Sequence, residues 1–136
     1  MTTSYGYIGL GSLGSNCARR LLEAGFAVTV HDRDRSAAEP LTAAGASWAE
    51  TVAELAGSVD HVITCLPSPV VSATVAAQML PQMRSGATWI EMSTVGRDEV
   101  IALAELSAGN DVRLLELPVT GGVHLAARGE ITILAG

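Results

Sequence analysis

The chain has 136 residues, 49% of them apolar, enough for one domain with a core of its own, which excludes a disordered segment. Its net charge is −6 and its 8 basic residues are all arginines, so there is no basic stripe for a nucleic acid to follow, and no reaction step can draw a lysine from these residues. No apolar run nears the roughly 18 residues of a membrane span, and the N-terminus lacks a basic signal region; a soluble, cytoplasmic protein with neither membrane nor nucleic-acid partner is expected.

Strands and helices alternate along the chain. Tyr5 to Leu10 is a short apolar run that meets glycines, which predicts a first buried strand. Leu13, Cys17 and Leu21, with Ala18 and Leu22 beside them, form one apolar helix stripe, and Gly25 can end that helix. Phe26 to His31 predicts a second strand, Ser36 to Ala44 a short helix stopped near Gly45, and Thr51 to Ala56 a helical turn or two. His61 to Leu66 is an unbroken apolar strand ended by Pro67, followed by a helix over Val70 to Met83. Ala87 to Met92 and Val112 to Leu117 predict strands on either side of a helix over Arg97 to Ala108, and Ile131 to Ala135 a last strand. Strands without period-two alternation, separated by helices, imply a mainly parallel sheet covered on both faces: an α/β, Rossmann-type, doubly wound fold over residues 1–136. Cys17 and Cys65 lie far apart in apolar segments without metal-ligand spacing and read as buried, reduced thiols.

The first strand runs into Gly9-Leu10-Gly11-Ser12-Leu13-Gly14, which opens the first helix. Gly-x-Gly-x-x-Gly in that setting is the dinucleotide fingerprint. Gly9 permits the tight turn, Gly11 lets the backbone approach a diphosphate, and Gly14 lets helix pack closely on strand. The helix start offers free N–H groups and positive potential to the phosphates. Asp32 ends the second strand, 18 residues beyond Gly14, where a carboxylate accepts hydrogen bonds from the adenosine ribose and repels a 2′-phosphate. That favours NAD, although Arg33 and Arg35 could hold the extra phosphate of NADP, or Arg33 could lie over the adenine. Three further segments end strands at the cofactor edge: Cys65-Leu66-Pro67-Ser68, Glu91-Met92-Ser93-Thr94-Val95, and Glu116-Leu117-Pro118-Val119-Thr120-Gly121-Gly122.

With these motifs in order, the sequence resembles the β-hydroxyacid dehydrogenases, the family of 3-hydroxyisobutyrate dehydrogenase, tartronate semialdehyde reductase and 6-phosphogluconate dehydrogenase. Ile8 to Gly14 is close to the family's opening signature, with Leu13 where Met is common. Leu66-Pro67 and Met92-Ser93-Thr94 are similar to its Met-Leu-Pro and Met-Ser-Thr segments. Pro118 to Gly122 is similar to its Pro-Val-Ser-Gly-Gly loop, with Thr120 for Ser; Arg128 to Ile133 is similar to its Gly-x-Leu-x-Ile stretch, and Glu116 stands where Asp is usual. The resemblance implies that Leu66, Pro67 and Thr94 line the nicotinamide and its ribose, and that Thr120, Gly121 and Gly122 hold the carboxylate of a small substrate. It implies hydride transfer between a nicotinamide and a 3-hydroxy acid or semialdehyde, and a homo-oligomer in the full-length enzyme. The family's catalytic lysine lies on a helix leading into an all-helical second domain. Both are absent from this chain, which by itself is therefore expected to be inactive, as a piece of a longer enzyme. Three alternatives remain: an imine reductase sharing this cofactor domain, a non-catalytic NAD(P)-binding module, and a dimerisation scaffold that binds no nucleotide.

Overall fold

The structure is a computed structural model describing residues 3–120 and 122–134. Six parallel strands form its centre: β1 (Ser4–Ile8), β2 (Ala27–His31), β3 (Ser47–Trp48), β4 (His61–Thr64), β5 (Thr88–Glu91) and β6 (Arg113–Glu116), in the spatial order β3-β2-β1-β4-β5-β6. The order reverses between β1 and β4, so the connections leaving these two neighbours run in opposite directions and open a crevice at their carboxyl ends. Five helices link the strands: α1 (Ser12–Glu23), α2 (Glu39–Ala43), α3 (Val52–Ser58), α4 (Pro69–Met79) and α5 (Arg97–Gly109).

Successive strand residues point to opposite faces, and the central strands β1 and β4 are buried on both, whereas Leu115 of the edge strand β6 is exposed. Ile8, Val62 and Trp89 face one layer with Leu55 of α3, Met79 of α4 and Leu103 of α5. Tyr7, Val30 and Ile63 face the other with Ala18 of α1 and Leu41 of α2. Fully buried side chains such as Leu55 and Met79 contribute roughly 1.5–3 kcal/mol each by leaving water. Gly6 sits against α3: a Cβ there would collide with the Leu55 side chain.

The elements differ from the sequence expectation at a few points. The helix foreseen over Ser36 to Ala44 begins as a 3-10 turn, Arg35–Ala38, capped by the Asp34 carboxylate on the Ser36 N–H, before α2. The helix foreseen to Met83 ends at Met79, and Pro81 sits in a separate 3-10 turn. β3 was not foreseen; it pairs only Ser47 and Trp48 with Thr29 and Val30. The last foreseen strand does not join the main sheet. Instead β7 (Val119–Thr120) and β8 (Thr132–Ile133) pair antiparallel around α6 (Gly122–Ala127), which packs against α1.

Candidate nucleotide-binding site

The loop between β1 and α1 is held from both sides. The Gly9 N–H donates to the His31 carbonyl of β2 (3.2 Å) and the Cys65 N–H to the Ile8 carbonyl of β1 (3.0 Å). Gly9 has φ +98, and a Cβ there would strike the Cys65 carbonyl oxygen; at Gly14 it would strike the Gly9 carbonyl oxygen. These two glycines are fixed by the protein's own packing. Gly11 is different: a Cβ there meets nothing within 4 Å among the described residues. Its space opens outward, above the start of α1.

That helix start has no side-chain cap and no acidic residue in its first turn. The first N–H groups of a helix have no intrahelical partner. Here they point, with the positive end of the helix dipole, at open space between β1 and β4, an arrangement suited to a diphosphate. A cleft of about 690 Å³ runs across it, walled by the glycine loop, by His31, Asp32 and Arg33 at the end of β2, and by Cys65, Leu66 and Pro67 beyond β4. These residues fit a dinucleotide lying across the switch point.

Asp32 is tied into the loop. Its Oδ2 accepts from the Leu10 N–H (2.7 Å) and its Oδ1 from the Asp34 N–H (2.9 Å). The carboxylate is thus oriented by the backbone on both oxygens, with lone pairs to spare. His31 beside it is fixed by Nδ1 on the Ala49 carbonyl (2.9 Å) and stacks on Trp48 with ring centroids 5.4 Å apart. Arg35 lies over the Trp48 ring and pairs with Glu50.

Of the residues foreseen for the cofactor, Gly9, Gly11, Ser12, Leu13, Gly14, Asp32, Arg33, Leu66 and Pro67 line one cleft. Leu10 is buried and contributes its N–H to Asp32. Thr94 is exposed and is not among the cleft-lining residues; its neighbour Ser93 is buried and accepts the Leu66 N–H on Oγ (2.6 Å). At the foreseen substrate loop, Thr120 ends β7, Gly121 lies outside the described residues, and Gly122 opens α6 exposed with φ +73. Unforeseen cleft residues are Val52 of α3 and Val71, Thr74, Val75 and Gln78 of α4. The signal for α4 was Ser68-Pro69: the Ser68 hydroxyl caps the helix by accepting from the Val71 N–H (3.3 Å), and Pro69 takes the first turn. Among the described residues no helix is long and apolar enough to cross a membrane, and no group of His, Cys, Asp or Glu is placed to hold a metal ion.

Both cysteines are free. Burial pushes the Cys65 thiol up to about 11, with Cys17 and Glu91 adding to the effect. Burial likewise raises Cys17 and holds the Tyr7 phenol well above its usual range. Groups whose folded-state pKa is raised keep their protons longer when folded, so their stabilisation is complete below the unfolded values and is lost at higher pH. The melting temperature is expected to fall as pH rises from 9 to about 11, and less steeply in Cys65→Ala; equal slopes in scans of both proteins would contradict this.

Comparison with known proteins agrees with this geometry. Residues 4–136 match the family model described as the NAD binding domain of 6-phosphogluconate dehydrogenase. The chain is 33% identical over 132 residues to mitochondrial 3-hydroxyisobutyrate dehydrogenase of Drosophila melanogaster, covering 96% of this chain and 41% of that protein. It is 32% identical over 133 residues to the human cytokine-like nuclear factor N-PAC, covering 96% of this chain and 24% of that protein. The Mycobacterium tuberculosis 3-hydroxyisobutyrate dehydrogenase structure with L-serine superposes with a TM-score of 0.96 at 28% identity, over 100% of this chain and 47% of that one. The chain thus spans less than half the length of each of these proteins. With its parallel sheet, its glycine loop and its match over nearly every residue, the chain belongs to the family of the NAD-binding domain of 6-phosphogluconate dehydrogenase.

Proposed function

We propose that this chain is the cofactor-binding half of an NAD(P)-dependent dehydrogenase that oxidises the CH–OH group of a small β-hydroxyacid, with NAD preferred over NADP. The observation that carries it is the uncapped start of α1, with Gly11 open to the cleft at the switch point. The diphosphate rests on the N–H groups that open α1, the adenosine ribose on Asp32 with Arg33 beside the adenine, and the nicotinamide end against Leu66 and Pro67, with Thr94 reaching its ribose. Bound nicotinamide supplies the hydride acceptor. The residues of this chain bind and orient it and keep one wall of the cleft apolar, through Val52, Val71 and Val75.

Thr120, Gly121 and Gly122 hold the substrate carboxylate, a hydroxyl and backbone N–H groups being suited to an anion. With no lysine among these residues, the group that takes the hydroxyl proton belongs to the rest of the full-length enzyme, which also makes it a homo-oligomer. The free, partly buried thiols suit a reducing compartment, the cytoplasm. Titration of the chain with NAD and NADP tests the cofactor half of the reading: saturable binding of NAD is expected, and binding of neither dinucleotide would contradict it. Turnover of 3-hydroxy acids by the full-length protein tests the rest.

Asp32 sets the preference. Asp32→Ala removes the ribose acceptor and the anchor of the Leu10 N–H together, and is expected to weaken NAD about tenfold while NADP changes little. Unchanged NAD/NADP selectivity in paired titrations would show that Asp32 does not read the ribose. A second reading comes with the 32% identity to the cytokine-like nuclear factor N-PAC: a nucleotide-binding module without turnover. It would be supported by tight NAD binding in a full-length protein that leaves every hydroxyacid unchanged.

A further inference from the structure

Two strand ends meet beside the nicotinamide end of the cleft, and a buried carboxylate joins them. Glu91 is the last residue of β5 and is 1% exposed. It is paired in register with Thr64, the last residue of β4. Its Oε1 accepts from the Thr64 hydroxyl (3.0 Å) and from the Ser93 N–H (2.8 Å). The Thr64 hydroxyl in turn accepts from Trp89 Nε1 (2.8 Å), so its own proton is directed at Glu91. Ser93, held by Glu91, presents Oγ to the Leu66 N–H (2.6 Å). Leu66 lines the cleft. The Glu91 Oε2 is buried and has no partner among the described residues, so Oε1 carries all of the bonds named here.

We propose that Glu91 is a positioning residue for the nicotinamide half of the site. Acting through Ser93, it fixes the Leu66 backbone, and with it the cleft wall from Cys65 to Pro67 against which the nicotinamide rests. The inference rests on the cofactor reading above and adds to it a residue that never touches the cofactor. The adenosine half is organised separately, by Asp32 on the Leu10 N–H, so loss of Glu91 should act on one end of the dinucleotide and spare the other. A carboxylate that merely stabilised the core would affect both ends alike.

The ligand pair that separates these outcomes is NAD and ADP-ribose, which share the adenosine and diphosphate and differ in the nicotinamide. In calorimetric titrations of the chain, Glu91→Leu is expected to weaken NAD about tenfold and to leave ADP-ribose within about twofold. Glu91→Gln keeps the Oε1 acceptor and places its amide nitrogen at Oε2, which makes no hydrogen bond among the described residues; it is expected to retain NAD affinity. Ser93→Ala cuts the link to Leu66 without touching the carboxylate and is expected to reproduce the Leu phenotype, which keeps the test decisive if Glu91→Leu does not fold. Unchanged NAD affinity in Ser93→Ala, equal losses for both ligands, or a Gln variant as weak as the Leu variant would each overturn the proposal. A wild-type chain that bound neither ligand would overturn the cofactor reading and this inference with it.

Discussion

Gly11→Val is expected to leave the protein folded and to remove its affinity for the dinucleotide. Gly11 has an ordinary extended conformation, φ −65 and ψ −174, and a Cβ added to it meets nothing within 4 Å among the described residues, so a side chain can leave the backbone there without strain or collision at its Cβ. The isopropyl group would stand over the N–H groups that open α1, in the volume the diphosphate needs. NAD affinity should fall by about 100-fold or more, equivalent to roughly 3 kcal/mol, with a melting temperature close to that of the wild type. A folded variant that binds NAD as before would refute the placement of the phosphates.

Two residues earlier in the same loop, the outcome should be the opposite. Gly9→Val puts a side chain on a backbone at φ +98 and drives its Cβ into the Cys65 carbonyl oxygen. The neighbour is backbone at the end of the adjacent strand, held by its own bond to Ile8, so it cannot turn aside as a side chain would. The expected loss is about 3 kcal/mol or more, seen as a fall in melting temperature on the order of 10 °C. Gly14→Val should behave similarly, since its Cβ would meet the Gly9 carbonyl oxygen. Thermal unfolding of the three variants therefore sorts the glycines by the reason each is there. A Gly9 variant as stable as the wild type would contradict the tight approach of β1 and β4.

The sheet was legible because buried parallel strands are continuous apolar runs, and because each meets a glycine, a proline or a helix cap at its end. The glycine loop was legible because its spacing fell between a strand and a helix. What could not be read depends on contacts that pattern does not encode. β3 is two residues long and exists only because β2 offers it an edge. The last strand has the composition of a sheet strand, but its partner is β7, which it meets antiparallel. Thr94 and Ser93 are adjacent hydroxyl residues, and only the local turn after β5 leaves the first exposed and buries the second. Glu91 reads as a charged residue closing a strand; its burial follows from α4 and α5 covering that face, and its role from a threonine on the neighbouring strand. The cleft wall from α3 and α4 was equally hidden, since Val71 and Val75 read as core positions until the helices are placed.

The diphosphate of a nicotinamide dinucleotide is expected to rest on the first amides of α1, between β1 and β4. Amide chemical-shift mapping of the chain during titration with NAD measures this most directly. The largest shifts are expected at Gly11, Ser12 and Leu13, with further shifts at Asp32 and Leu66, all at the carboxyl edge of the sheet. Shifts clustered instead at the opposite edge, around Asp60 and Gly86, or no shifts at saturating NAD, would contradict it.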